Sequence, residues 1–139
     1  MMRYLKIFLS SMVVLLVLTA NSGCQKSPIN GDLDGQWQVM SVTPEPSEQI
    51  ITERLYMGFY LHVCQLYYYN GGGWMAGNMK YEGNKLSLDF PYSVDNPDAE
   101  AMLRQYGINR NPVIFDIETL SKDRLVIRDG ETVVVLRKF

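Results

Sequence analysis

From Gly35 onward the chain alternates apolar and polar residues in short runs broken by turn residues, the two-residue period of half-buried antiparallel strands. The runs cover Gln36 to Thr43, Arg54 to Tyr69, Trp74 to Glu82, Lys85 to Phe90, Val113 to Leu120, Arg124 to Arg128 and Glu131 to Lys138. Arg54 to Tyr69 is too long for an average strand, so a bend or bulge near Leu61 to Val63, or a division into two strands, is expected. Asn70-Gly71-Gly72-Gly73 reads as a flexible turn, and Gly83-Asn84 and Asp129-Gly130 as tight hairpin turns. The pattern breaks between Pro91 and Pro112. There Asn96 stands as an N-cap, Pro97 at the first helical position, acids in the first turn, Arg104 late and Gly107 as the stop, which predicts one short helix. Sequential strands linked by hairpins form an up-and-down meander, and closing it removes both exposed edges. The expected fold is all-β: an antiparallel up-and-down barrel of about eight strands, with the helix between the fifth and sixth. Such a barrel is either just filled by side chains or holds one small ligand, so the topology admits both a carrier and a solid domain.

The first residues follow another pattern. Met1 to Lys6 holds two cations, Ile7 to Leu18 carries no charge, and Thr19 to Cys24 is small or polar. These are the n-region, h-region and cleavage site of a secretory signal, and the apolar run falls short of the roughly 20 residues that a spanning helix needs. Ser22-Gly23-Cys24 resembles the bacterial lipobox, in which the cysteine is lipidated and becomes the mature N-terminus, although Asn21 stands where leucine is usual. The alternative is ordinary cleavage after Ser22, which leaves Cys24 a thiol able to pair with Cys64 in an oxidising compartment. Residues 1–23 are thus expected to be a lipoprotein-type signal, 24–33 a polar tether containing Pro28 and Gly31, and 34–139 the barrel domain.

Composition narrows the function. Of 13 basic residues two lie in the leader, and none of the 15 acidic ones does, so the remainder sets 11 against 15 for a net charge of −4. A surface of that sign is not one that recruits nucleic acid. With one histidine and two cysteines in 139 residues, no His or Cys cluster has metal-ligand spacing, and no cofactor is expected. Gly71 to Gly73 leads into a strand-like run, not into the helix that a phosphate loop requires. His62 and Cys64 would share a face of a regular strand, but side chains so placed do not make a working nucleophilic dyad, and a lone buried cysteine usually behaves as a small hydrophobe. Asp116 and Glu118 share a strand face and are expected to be solvated. No enzymatic activity is expected.

Aromatic residues are the remaining signal. Tyr56, Tyr60, Tyr67, Tyr68, Tyr69, Trp74 and Tyr81 crowd one part of the chain, where they either line a binding surface or simply fill the core. Leu55, Met57, Phe59, Leu61 and Val63 are expected to face inward. Three consecutive tyrosines cannot all lie on one face of a strand. Ligand or partner contacts are therefore expected around Tyr67, Tyr68, Tyr69 and Trp74, and the competing arrangement has Tyr67 and Tyr69 extending the core face with Tyr68 alone outside.

Leu33-Asp34-Gly35-Gln36-Trp37 resembles the Gly-x-Trp signature that opens lipocalin-like barrels, in which the tryptophan plugs one end of the core. Taken with the leader, the meander, Tyr106-Gly107-Ile108-Asn109 and the ending Leu136 to Phe139, the chain resembles the small lipocalin-like lipoproteins of Gram-negative cell envelopes. That resemblance implies a structural role for Gly35 and Trp37. It also implies a protein held to the membrane by a lipid on Cys24, with the periplasmic side of the outer membrane favoured because Gln25-Lys26-Ser27 lacks acids. The expected role is binding of a small apolar or aromatic ligand, the alternative a filled barrel acting as an interaction or accessory subunit of an envelope complex. The chain is shorter than secreted lipocalins, so a large cavity is not expected.

Overall fold

The computed structural model describes residues 1–20, 29–44, 54–68, 74–93 and 95–139, with backbone alone at 14–20 and 74. Helix α1, Met2–Ala20, precedes a 3₁₀ turn at Gly31–Leu33. The strands are β1 Gly35–Thr43, β2 Leu55–Tyr60, β3 Val63–Tyr68, β4 Trp74–Glu82, β5 Lys85–Asp89, β6 Val113–Leu120, β7 Arg124–Asp129 and β8 Thr132–Lys138, and helix α2, Pro97–Gln105, lies between β5 and β6. Each strand pairs antiparallel with its neighbour in sequence, and β8 pairs back onto β1 to close the barrel. Among the described residues no helix is long and apolar enough to cross a membrane.

The long run from Arg54 to Tyr69 is two strands folded back at Leu61 and His62, with Tyr60 opposite Val63 and Phe59 opposite Cys64. This hairpin corrects the expected inward face. Leu55, Met57 and Phe59 are buried as the alternation requires, but Leu61 and Val63 are exposed. A two-residue turn changes the parity of the strand that follows, so in β3 it is Cys64, Leu66 and the half-buried Tyr68 that pack on the core. Leu61 takes a left-handed φ of 54° in that turn, and its carbonyl accepts a hydrogen bond from the Asn30 amide at 2.9 Å. A second parity change occurs in β1, where the register shift between Val39 and Ser41 leaves Met40 exposed and lets both Val39 and Val42 face inward.

Two boundaries also move. Asp129 pairs with Thr132, so the last hairpin turns on Gly130 and Glu131, with Gly130 at φ 59° in the first central position that a type II′ turn reserves for glycine. Asn30 to Leu33, read from the sequence as tether, belong to the barrel: Leu33 is fully buried and Asn30 nearly so. Helix α2 follows its punctuation. Asn96 Oδ1 accepts hydrogen bonds from the backbone N–H groups of Asp98 and Ala99, and the N–H of Ile108 reaches back to the Leu103 carbonyl through a left-handed Gly107. The loop back to the barrel is held by Asn111, whose Oδ1 accepts from the Phe90 N–H while its Nδ2 donates to the Phe90 carbonyl and the Ser93 hydroxyl.

Candidate functional site

The barrel interior is a packed core. Trp37, Phe59, Leu66, Phe115 and Tyr106, drawn from four strands and the segment after α2, have no exposed surface, so they border no void wide enough for a water molecule. Among the described residues, each end carries a closure. At the end where the chain enters, the Trp37 indole N–H donates to the Leu33 carbonyl at 2.9 Å, and the Lys138 ammonium lies 4.3 Å from the centre of the Trp37 ring. That ammonium also donates to the carbonyls of Asp32, at 2.8 Å, and Asp34, at 2.5 Å. Gly35 permits this approach, since a Cβ there would stand 3.1 Å from Lys138 Nζ. Burial lowers the pKa of Lys138, against the opposing pull of Asp32 and Asp34.

At the other end α2 lies across the opening. Tyr106 enters the barrel and its hydroxyl donates to the Tyr67 carbonyl at 2.9 Å, while the Tyr68 hydroxyl donates to Gln105 Oε1 at 3.0 Å. Burial raises the pKa of the Tyr106 phenol, with Tyr68, Cys64 and Tyr67 nearby adding to it.

Of the four aromatic residues expected to form one site, Tyr67 and Tyr68 lie on opposite faces of β3. Tyr68 turns inward to the α2 closure and Tyr67 faces out, the reverse of the arrangement in which Tyr68 alone lies outside. Trp74 is placed by its backbone, paired in register with Tyr67, and Tyr69, Gly71 to Gly73 and Cys24 lie outside the described residues. Trp37 is fully buried. His62 is exposed in the hairpin turn and Cys64 is a buried free thiol, so they do not share a face. Desolvation raises the Cys64 pKa and keeps the thiol protonated. Asp116 and Glu118 are not merely solvated; they pair with Lys85 and Arg128 across the sheet. Among the described residues no group of three or more His, Cys, Asp or Glu side chains is placed to hold a metal ion.

What the structure does assemble is an aromatic and amide surface on the outside of β1, β2 and β3. Tyr56 and Tyr67 stack with ring centres 5.5 Å apart, and Phe139 meets Tyr56 edge-on at 5.0 Å. Beside them Gln36, Tyr60, Gln65 and Tyr67 line a shallow recess of about 390 Å³. Burial, with Tyr60 and Tyr56 close by, pushes the Tyr67 phenol up to about 12, so it is a neutral hydroxyl at physiological pH. Tyr60 was read from the sequence only as one of the crowded aromatics, and Gln36 and Gln65 were not singled out. The available signal was Gly58, a glycine in the middle of an aromatic strand where a close approach is the usual reason. A second crevice, of about 290 Å³, lies beside α2 between Ser93, Leu103, Arg104 and Asn109.

No curated protein matches the chain. Among solved structures it is similar to a lipocalin-like protein from Bacteroides uniformis, at 24% identity and a TM-score of 0.63 over 78% of this chain and 100% of that one. It is also similar to an uncharacterized protein from Bacteroides eggerthii, at 17% identity and a TM-score of 0.58 over 77% of this chain and 99% of that one. Likeness at these identities establishes the fold. The family model for the lipocalin-like domain matches residues 16–139, and with the closed eight-stranded barrel in hand, this chain belongs to the lipocalin-like domain family.

Proposed function

We propose that this protein is a non-enzymatic, lipid-anchored binding protein of the Gram-negative cell envelope that recognises its target on the outside of a filled barrel. The observation that carries this reading is the interior among the described residues, where Trp37, Phe59, Leu66, Phe115 and Tyr106 have no accessible surface, with Trp37 and Lys138 at one end and Tyr106 and α2 at the other. A carrier of the hollow kind needs an apolar cavity of several hundred Å³ to bury a ligand. Here recognition falls to exposed aromatic surface, which supplies rigid contact area with a polar handle at low entropic cost. The absence of catalysis is supported by the protonated, sealed Cys64 thiol and by carboxylates already engaged with basic partners. Anchoring is supported by the Ser22-Gly23-Cys24 sequence after an apolar run, and the periplasmic side of the outer membrane by the lack of acids after Cys24.

Titration with a fluorescent fatty acid and with an anilinonaphthalene dye tests the filled barrel. No saturable one-to-one signal is expected, and stoichiometric binding abolished by Leu66→Trp would establish an interior site instead. Radiolabelled palmitate should mark wild type and not Cys24→Ser, which should leave the membrane fraction. Label persisting in the variant removes the anchor from the proposal.

A further inference from the structure

We propose that the recess on the outer face of β1 to β3 binds a neutral saccharide, an inference that deepens the outer-surface reading above and rests on it. Its four lining side chains, Gln36, Tyr60, Gln65 and Tyr67, carry no formal charge, and none has a hydrogen-bond partner among the described residues. Two amides and two phenols therefore face one opening with their donors and acceptors available. That set is costly for an apolar ligand, whose seating would desolvate polar groups without replacing their bonds to water. It is also neutral toward ions, since no lining side chain offers an opposite charge. A sugar matches it in both respects: hydroxyls around the ring edge pair with amides and phenols, and the C–H faces of the ring lie on aromatic rings.

The floor completes the argument. Gln36, Gly58 and Gln65 are register partners on three adjacent strands. The two glutamines thus stand two strand spacings apart, about 9 to 10 Å between backbones. Gly58 puts no side chain between them, and a Cβ there would meet the Tyr60 ring at 3.2 Å. Tyr60 is half exposed and Tyr67 is held by its stack on Tyr56, so one ring of the recess is adaptable and the other fixed. This is a shape for a pyranose unit within a chain, open on the solvent side so that the neighbouring units continue outward.

Isothermal titration calorimetry on the full-length protein, in a detergent whose head group is not a sugar, provides the test. The probes are maltohexaose, cellohexaose, mannohexaose, xylohexaose and chitohexaose, with hexagalacturonate as the charged comparison. At least one neutral oligosaccharide should bind saturably and hexagalacturonate should not. Tyr60→Ala and Gln65→Ala, both at exposed positions, should each weaken that binding by about tenfold or more while melting as wild type does. Tyr68→Phe, on the inner face, should leave it unchanged. Silence from every neutral probe, or binding that survives the Tyr60→Ala, Gln65→Ala double variant, overturns the saccharide site. Neither result touches the filled barrel, whose own failure is read from the fatty-acid and dye titrations.

Discussion

The two ends of the barrel are closed by different means. At the end where the chain enters, the plug itself is local: Leu33 and Trp37 are joined by an indole hydrogen bond across four residues, and Lys138 and Leu61 add contacts from far away. At the other end the bonds that dock the cover onto β3 are long-range, with Tyr106 reaching β3 across 39 residues and Tyr68 reaching Gln105 across 37. A closure made of neighbours in sequence forms with little loop-closure entropy, whereas one made by docking a helix depends on the whole excursion from β5 to β6 being in place. The first end is thus the part of the core present from the start of β1. The second is an added cover, and the end at which loosening should begin.

Substitutions can break that contrast. The largest effect is expected at the local plug: Trp37→Ala should cost roughly 3 to 5 kcal/mol in chemical denaturation, a large part of a small domain's stability. A variant that unfolds like wild type would show that the indole is not a plug. Next is Gly107→Val, at a left-handed φ of 77° where even a Cβ would stand 2.4 Å from a Val134 methyl carbon. Strain and overpacking together should destabilise by about 2 to 3 kcal/mol, and the loss should be accompanied by faster amide exchange in α2 than in β1. Equal acceleration at both ends would mean that the covers are one cooperative unit.

Tyr106→Phe is smaller but has a signature in pH. Removing the hydroxyl leaves the partly buried Tyr67 carbonyl without this donor, at about 1 to 2 kcal/mol. Because burial holds the folded phenol protonated above the usual tyrosine value near 10, the unfolded chain loses this proton first as pH rises. The stabilisation is complete below about pH 10 and is lost progressively above it. Tyr67 and Cys64 are shifted in the same direction, so the alkaline fall in stability should be shallower in Tyr106→Phe but not abolished. Identical slopes would place Tyr106 outside the titration. The smallest effect sharpens the local end: Lys138→Met keeps the covering stem over Trp37 but removes the charge, for a loss of roughly 1 kcal/mol that added salt should reduce.

How much of this was legible follows from how far each feature's determinants lie apart. Strand periodicity, the Gly83 hairpin, the Asn96 cap and the Gly107 stop are set by residues within a few positions of one another, and the sequence by itself determined them, and with them an antiparallel meander of about eight strands. Leu33-x-Gly-x-Trp37 was readable for the same reason, since its hydrogen bond spans four residues. Parity was not. The turn at Leu61 and His62 contains no glycine to announce it, and the slip at Met40 exists only because β1 must keep pairing with β8. Each shifts the inward face by one residue, and the one at Leu61 and His62 is why Val63 fell outside, Cys64 inside, and Tyr68 in place of Tyr67 on the inner face. The tertiary structure alone decided how the described core packs, because no single segment shows how the side chains of eight strands and one helix fit together. It alone decided too that Gln36, Gly58 and Gln65 form one row, since three strands brought into register are needed to make them neighbours.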